Sequence, residues 1–134
     1  MNTKGYHSPM DYLTAARTSS SSDELACLAR SEYEFVRLAV AQNPNVTSSI
    51  LLSLVPEGFA TWNQQELAGA VSKNPKAPQD ALRKIAVGLR PFLNFRIRRR
   101  IANKCSRRDV LELLVTDPSE AVTLRALRAL DSAR

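Results

Sequence analysis

The chain has 134 residues, 44% of them hydrophobic and 24% charged, with a formal net charge of +6, which excludes intrinsic disorder and is enough to bury roughly two thirds of the unfolded surface in one domain. Four glycines and 6% aromatic residues argue against a strand-rich sandwich. No run reaches the ~20 apolar residues of a membrane-spanning helix and MNTKGYHSPMDYLTAARTSS lacks a secretory apolar stretch, so a cytoplasmic protein with no membrane association is expected.

Residues 1–8 are expected to be flexible up to Ser8-Pro9, which suits an N-cap and first helical position for a helix over 9–17. Ser21 and Glu24 have capping-box spacing and predict a helix over 22–30. Val36, Ala39 and Val40 then give the three-and-four spacing of an amphipathic helix over 33–42. Asn43-Pro44 ends it, because asparagine tolerates the left-handed conformation and proline cannot continue a helix. A helix over 47–55 follows. Pro56 to Asn63 reads as a joint holding Gly58, Phe59 and Trp62.

The same order then recurs. Leu67, Ala70 and Val71 mark a helix over 64–73, Asn74-Pro75 ends it, and another helix covers 78–89. A joint from Gly88 to Leu93 leads to 94–103, where Leu93, Ile97 and Ile101 would face the core, and then to 107–116 and 119–131. No convincing strand is found.

Internal repetition underlies this order. Four, eight and eleven residues after Asn43 stand Thr47, Leu51 and Leu54; after Asn74 stand Pro78, Leu82 and Ile85; after Asn103 stand Arg107, Leu111 and Leu114. A partial copy, VTLRALRAL from Val122, ends the chain. A single helix pair cannot bury its apolar face, so such units stack and share one core. The expected organisation is one helical-repeat domain over 1–134, with units at 9–30, 32–56, 63–89 and 93–116 and a terminal helix at 119–131.

LARSEYEFVRLAVAQNPNVTSSILLSL, LAGAVSKNPKAPQDALRKI and LVTDPSEAVTLRAL resemble leucine-rich repeat variant units, bacterial relatives of the HEAT and armadillo repeats. The resemblance covers most of residues 25–127 and is clearest over Val36–Leu54. It implies an all-α fold, a short right-handed α-solenoid of about four helix pairs. One member of that family holds an iron–sulfur cluster through several cysteines; this chain has two cysteines, Cys27 and Cys105, and that cofactor is not carried over. The family name specifies architecture and not activity.

Catalysis needs a converging nucleophile, acid–base pair or metal, and little of that material is present. His7 is the one histidine and stands in the N-terminal segment. Cys105 neighbours Lys104 and Arg107, whose charge would favour a reactive thiolate, whereas its aliphatic surroundings favour a packed thiol. No catalytic residue, metal site or cofactor is assigned, and a non-enzyme is expected.

From Ala81 to Arg108 there are ten basic residues and no acidic one; the other 106 residues carry nine basic against thirteen acidic. With Ile97 and Ile101 inward, Arg96 and Arg100 share a flank and Arg98 and Arg99 point to solvent. Lys104, Arg107 and Arg108 follow at the turn. Arg100 and Arg125 stand where earlier copies have the small Ala39 and Ala70, and an exposed Arg37 would join the surface if the superhelix brings it round. Three readings compete: a solvated face partly neutralised by Asp109, Glu112, Asp117 and Glu120; an acidic protein; and a nucleic-acid backbone. Few stacking aromatics speak against sequence-specific recognition.

The expected function is that of a non-catalytic interaction module. A protein partner comes first, anchored on Phe59 and Trp62. Sequence-nonspecific nucleic-acid binding through Arg96, Arg98, Arg99, Arg100, Lys104, Arg107, Arg108 and Arg125 is the alternative. The oligomeric state stays open, since Leu124, Leu127 and Leu130 fall on one side of the last helix, compatible with a cap or with self-association.

Overall fold

The computed structural model describes residues 7–90, 92 and 95–132, and among these it contains nine α-helices and no strand. The helices are α1 (Pro9–Thr18), α2 (Ser22–Leu28), α3 (Glu34–Gln42), α4 (Ser48–Leu54), α5 (Trp62–Lys73), α6 (Gln79–Leu89), α7 (Arg96–Lys104), α8 (Arg108–Leu114) and α9 (Glu120–Ser132). The expected flexibility of the N-terminus falls for residues 1–6, and the inward placement of Leu93 falls entirely, outside the described residues.

Side-chain caps set several helix starts. The hydroxyls of Ser8, Ser21 and Thr47 accept from the N–H groups of Asp11, Glu24 and Ile50 at 3.2–3.3 Å, satisfying donors that a helix leaves orphaned in its first turn. At α5 the cap is reciprocal: Thr61 Oγ1 accepts from the Gln64 N–H at 3.1 Å while Gln64 Oε1 accepts from the Thr61 N–H at 3.0 Å. This box starts α5 at Trp62, two residues earlier than the apolar stripe indicates, so Trp62 stands on a helix and not in the joint.

Helix ends share one device. Ser19, Ser31, Asn43, Asn74 and Asp117 each follow a helix, are buried, and accept through the side chain from the N–H two residues on, at 2.7–3.1 Å. Such turns bend the chain while pairing a backbone donor that would otherwise be desolvated. Asn43 and Asn74 have extended backbones, so the left-handed conformation is not what ends these helices; the following proline and the side-chain turn do it.

Asn103 departs from the expected pattern. It lies exposed on α7, and the buried C-cap after that helix is Cys105. The helix runs on past Asn103, and the connection to α8 is correspondingly shorter, which is why Leu111 and Leu114 keep their buried positions.

Contacts group the chain into two units, Met1–Pro78 and Gln79–Arg134. In the first, α3 packs on α1 and on α5, with α2 and α4 against their neighbours. Its core is built from Ala16, Leu25, Leu28, Val36, Val40, Leu51, Ala68 and Val71. The small side chains of Ala16, Ala39 and Ala41 are buried and let the backbones approach. Asn43 Nδ2 donates to the carbonyls of Ala16 and Ser19 at the end of α1, both at 2.9 Å, and Asn74 Nδ2 donates to the Ala41 carbonyl at the end of α3 at 2.9 Å. Each asparagine thus clips its own helix end to the preceding one. The turns touch as well, through Ser48 Oγ to the Lys76 carbonyl at 2.7 Å and Lys76 Nζ to the Pro44 carbonyl at 2.8 Å.

In the second unit α7 and α8 both pack on α9, and α6 packs on α7 and α8. The core comprises Leu82, Ile85, Leu89, Ile101, Leu111, Leu114, Val122 and Ala126. Residues 63–89, read above as one repeat pair, fall on both sides of the division, because α5 takes its partners from α3 and α4 and α6 takes its own from α7 and α8. On α9, Leu124 and Leu127 remain about half exposed while Leu130 is partly covered.

Candidate functional site

Arg98 is not on the surface. It is 1% exposed and forms a forked ion pair with Asp117, Nε to Oδ2 at 2.7 Å and Nη2 to Oδ1 at 3.3 Å. Its Nη1 also donates to the Leu89 and Phe92 carbonyls at 2.7 and 2.8 Å. A planar guanidinium with five donors suits this set of acceptors, which a lysine could not match. The expectation that Arg98 points to solvent therefore fails: next to Ile97 on the helix, it lies close enough to the inward stripe to be enclosed once Asp117 and two carbonyls supply its bonds.

The register of Arg98 repeats in the chain. Arg37 Nη1 donates to the Ser31 carbonyl at 2.6 Å and Thr123 Oγ1 to the Asp117 carbonyl at 3.1 Å, each six residues back, as Arg98 reaches Phe92. Arg37 is accordingly half-buried and not the exposed residue expected.

Several other cations are already engaged. Arg107 pairs with Asp80 and Asp109, Arg83 with Asp109 at 3.3 Å, and Arg108 with Glu112 at 2.9 Å one turn on. At Asp109 partial desolvation pushes the carboxyl up, but the Arg107 hydrogen bond and charge outweigh it and hold it below its ordinary value. These pairs realise the neutralised face for part of the cluster. On α7 and α9, Arg96 is exposed, Arg99 lies over the Phe95 ring at 5.7 Å, Arg100 and Lys104 are half-buried, and Arg125 reaches Asn103 at 3.5 Å. Burial and the neighbouring Arg100 charge push the Lys104 ammonium below its usual range. By sequence the second unit has thirteen basic against six acidic residues, net +7, and the first has six against seven, net −1.

The first unit holds a groove of about 680 Å³ between the start of α3, the end of α4 and the start of α5. Phe35, Leu38, Val55, Pro56 and Trp62 supply its apolar lining. Phe35 is 43% and Trp62 75% exposed. Phe35 stacks on Tyr33 with ring centroids 5.4 Å apart, and Tyr33 in turn meets Tyr12 at 5.9 Å, so the aromatic wall is braced from behind. Glu34 accepts from Asn63 Nδ2 and links the starts of α3 and α5. Of the two anchors expected, Trp62 lines the groove; Phe59 is half-buried in the joint, its carbonyl accepting from Gln65 Nε2 at 2.9 Å, and is not part of the lining. Phe35 was not anticipated. The legible signal was its place immediately before Val36, off the inward stripe of Val36, Ala39 and Val40.

Cys105 is buried and Cys27 partly so. Burial is the main cause that pushes the Cys105 thiol above its ordinary value, which disfavours the thiolate that a reactive cysteine needs. In the native protein at neutral pH, iodoacetamide is expected to label Cys27 at least about tenfold faster than Cys105, read by peptide mass spectrometry. Equal rates would contradict the burial assigned to Cys105.

Among the described residues no three histidine, cysteine, aspartate or glutamate side chains come together as a metal would require, and no helix is long and apolar enough to cross a membrane. Comparison with protein-family models, curated proteins and solved structures gives no match to this chain.

Proposed function

We propose that the protein is a non-catalytic interaction module of the leucine-rich repeat variant or HEAT-like kind, a short α-solenoid of about four helix pairs that binds a protein partner in the α3–α5 groove. The observation that carries this reading is the pair of exposed aromatic residues, Trp62 and Phe35, on the rim of one open groove. Large apolar side chains left to water mark contact surfaces, and tryptophan is enriched among residues that dominate binding energy. The rung-like contacts of Asn43 and Asn74 support the repeat architecture. A cytoplasmic location belongs to the same reading.

The test is affinity capture at high salt with the parent protein and with the Trp62→Ala and Phe35→Ala variants, followed by mass spectrometry. Truncating such an anchor costs about 2 kcal/mol, some 30-fold in affinity. A specific protein retained by the parent and lost from both variants is expected, with thermal stability unchanged. Retention that is indifferent to both substitutions would refute the groove.

The net +7 of the second unit favours a second reading, sequence-nonspecific binding of nucleic acid through Arg96, Arg99, Arg100, Lys104 and Arg125. An anion beside Arg100 and Lys104 would offset the burial, and the lesser Arg100 repulsion, that disfavour the Lys104 charge. Anisotropy of labelled duplex DNA, single-stranded DNA and RNA at about 50 and 200 mM salt decides it, with the Arg96→Glu, Arg99→Glu, Arg100→Glu, Lys104→Glu combination as control. Arg98 is left intact there, because its loss would act through folding.

A further inference from the structure

The groove is not electrically neutral. Glu34, Glu57 and Glu66 line it against a single cation, Arg37. Arg37 has its Nη1 committed to the Ser31 carbonyl and pairs with none of the three carboxylates. Glu34 is engaged by Asn63. Glu57, in the joint after α4, and Glu66, one turn into α5, form no ion pair with any described cation of the chain, although that chain is basic as a whole. The rim therefore presents two uncompensated carboxylates beside an apolar floor.

We infer that the occupant of the groove is a basic, amphipathic segment of a partner protein: one bulky aliphatic or aromatic side chain seated against Phe35, Val55, Pro56 and Trp62, flanked by lysine or arginine reaching Glu57 and Glu66. This rests on the reading of the groove as the docking site and adds the chemistry of what docks. Two physical arguments carry it. An acidic or neutral segment would desolvate Glu57 and Glu66 without return, whereas a basic one exchanges their hydration for ion pairs, so charge acts as a selector where the apolar floor accepts any bulky side chain. Second, Phe35 and Trp62 are too exposed for an enclosed pocket that would wrap a small cation on all sides, whereas an open trough suits a chain segment that enters and leaves.

Trp62 is the sole tryptophan, so its fluorescence reports on the groove itself. The experiment selects random 12-residue peptides displayed on phage against the parent protein, with counter-selection on Trp62→Ala, and titrates the synthesised winners while following Trp62 emission. The expected winners combine an aromatic or large aliphatic residue with two or more lysines or arginines and shift the emission to the blue. Their affinity falls about tenfold in the Glu57→Gln, Glu66→Gln variant and also falls with added salt, as rim ion pairs of modest strength require. Winners that are neutral or acidic yet depend on Trp62 would overturn the basic occupant and leave the groove standing. Failure to obtain any peptide dependent on Trp62 and Phe35 would overturn both. A dimer in sedimentation velocity that Trp62→Ala dissolves would assign the groove to a second copy of this chain and overturn the proposal.

Discussion

Replacing Arg98 by alanine is expected to cost about 3–5 kcal/mol of folding stability, because it leaves the buried Asp117 carboxylate without its counter-ion. Single domains are stable by only about 5–15 kcal/mol, so the second unit would be close to unfolding. The pair is nonetheless no simple source of stability. Burying two charges is itself costly, and a well-packed apolar substitute can do as well. Two further variants separate these terms. Asp117→Asn keeps the turn bond to the Ser119 N–H, as Asn43 and Asn74 do with Asn45 and Lys76, but strands the guanidinium. The Arg98→Met, Asp117→Asn double variant removes both charges and is expected to be more stable than either Arg98→Ala or Asp117→Asn. Urea denaturation of the four proteins reads this directly. An Arg98→Ala loss under about 1 kcal/mol would place Arg98 in water and contradict the ion pair.

Asn43→Ala is the second large effect. The side chain is 2% exposed and makes three backbone bonds, donating to Ala16 and Ser19 and accepting from Asn45 at 2.7 Å. Removing it leaves two carbonyls and one N–H with reduced access to water, a loss of about 2–4 kcal/mol. Asn43→Asp preserves the acceptor for Asn45 but turns a carboxylate toward the two carbonyls that Nδ2 serves. Its folded-state pKa must then lie above the unfolded value, so the penalty is greatest at neutral pH and shrinks as pH falls through that raised value. Asn103→Ala, at the third position of the apparent repeat, is expected to change stability by less than about 0.5 kcal/mol, since Asn103 is exposed and its side chain accepts from Arg125 at a long 3.5 Å. Equal losses at positions 43 and 103 would restore the sequence anchor and contradict the observed α7 end.

Helix content was legible because it is written locally. Three-and-four stripes such as Val36, Ala39 and Val40 carry a face, and asparagine followed by proline carries a stop, so the helix limits all agree to within two residues. The small offsets have local causes too. The Thr61–Gln64 capping box starts α5 ahead of its apolar stripe, and α7 runs past Asn103 into a shorter turn. What the sequence hides is pairing at a distance. Arg98 sits in a run of three consecutive arginines that reads as a solvated face, while its partner Asp117 stands 19 residues later in another turn. The same non-locality covers the candidate site. Trp62 is legible as an aromatic anchor beside Phe59, but Phe35 and the rim carboxylates become one groove only when α3 and α5 are side by side. The division into two units has the same origin, in the partners each helix chooses.

On the proposed reading, the α3–α5 groove is where a protein partner docks. Photo-crosslinking in the native cells, with benzoylphenylalanine replacing Trp62 in one protein and the exposed Met10 on α1 in another, tests it most directly. A discrete adduct with another protein from position 62 and none from position 10 is the predicted result; equal labelling from both positions, or none from position 62, would contradict it.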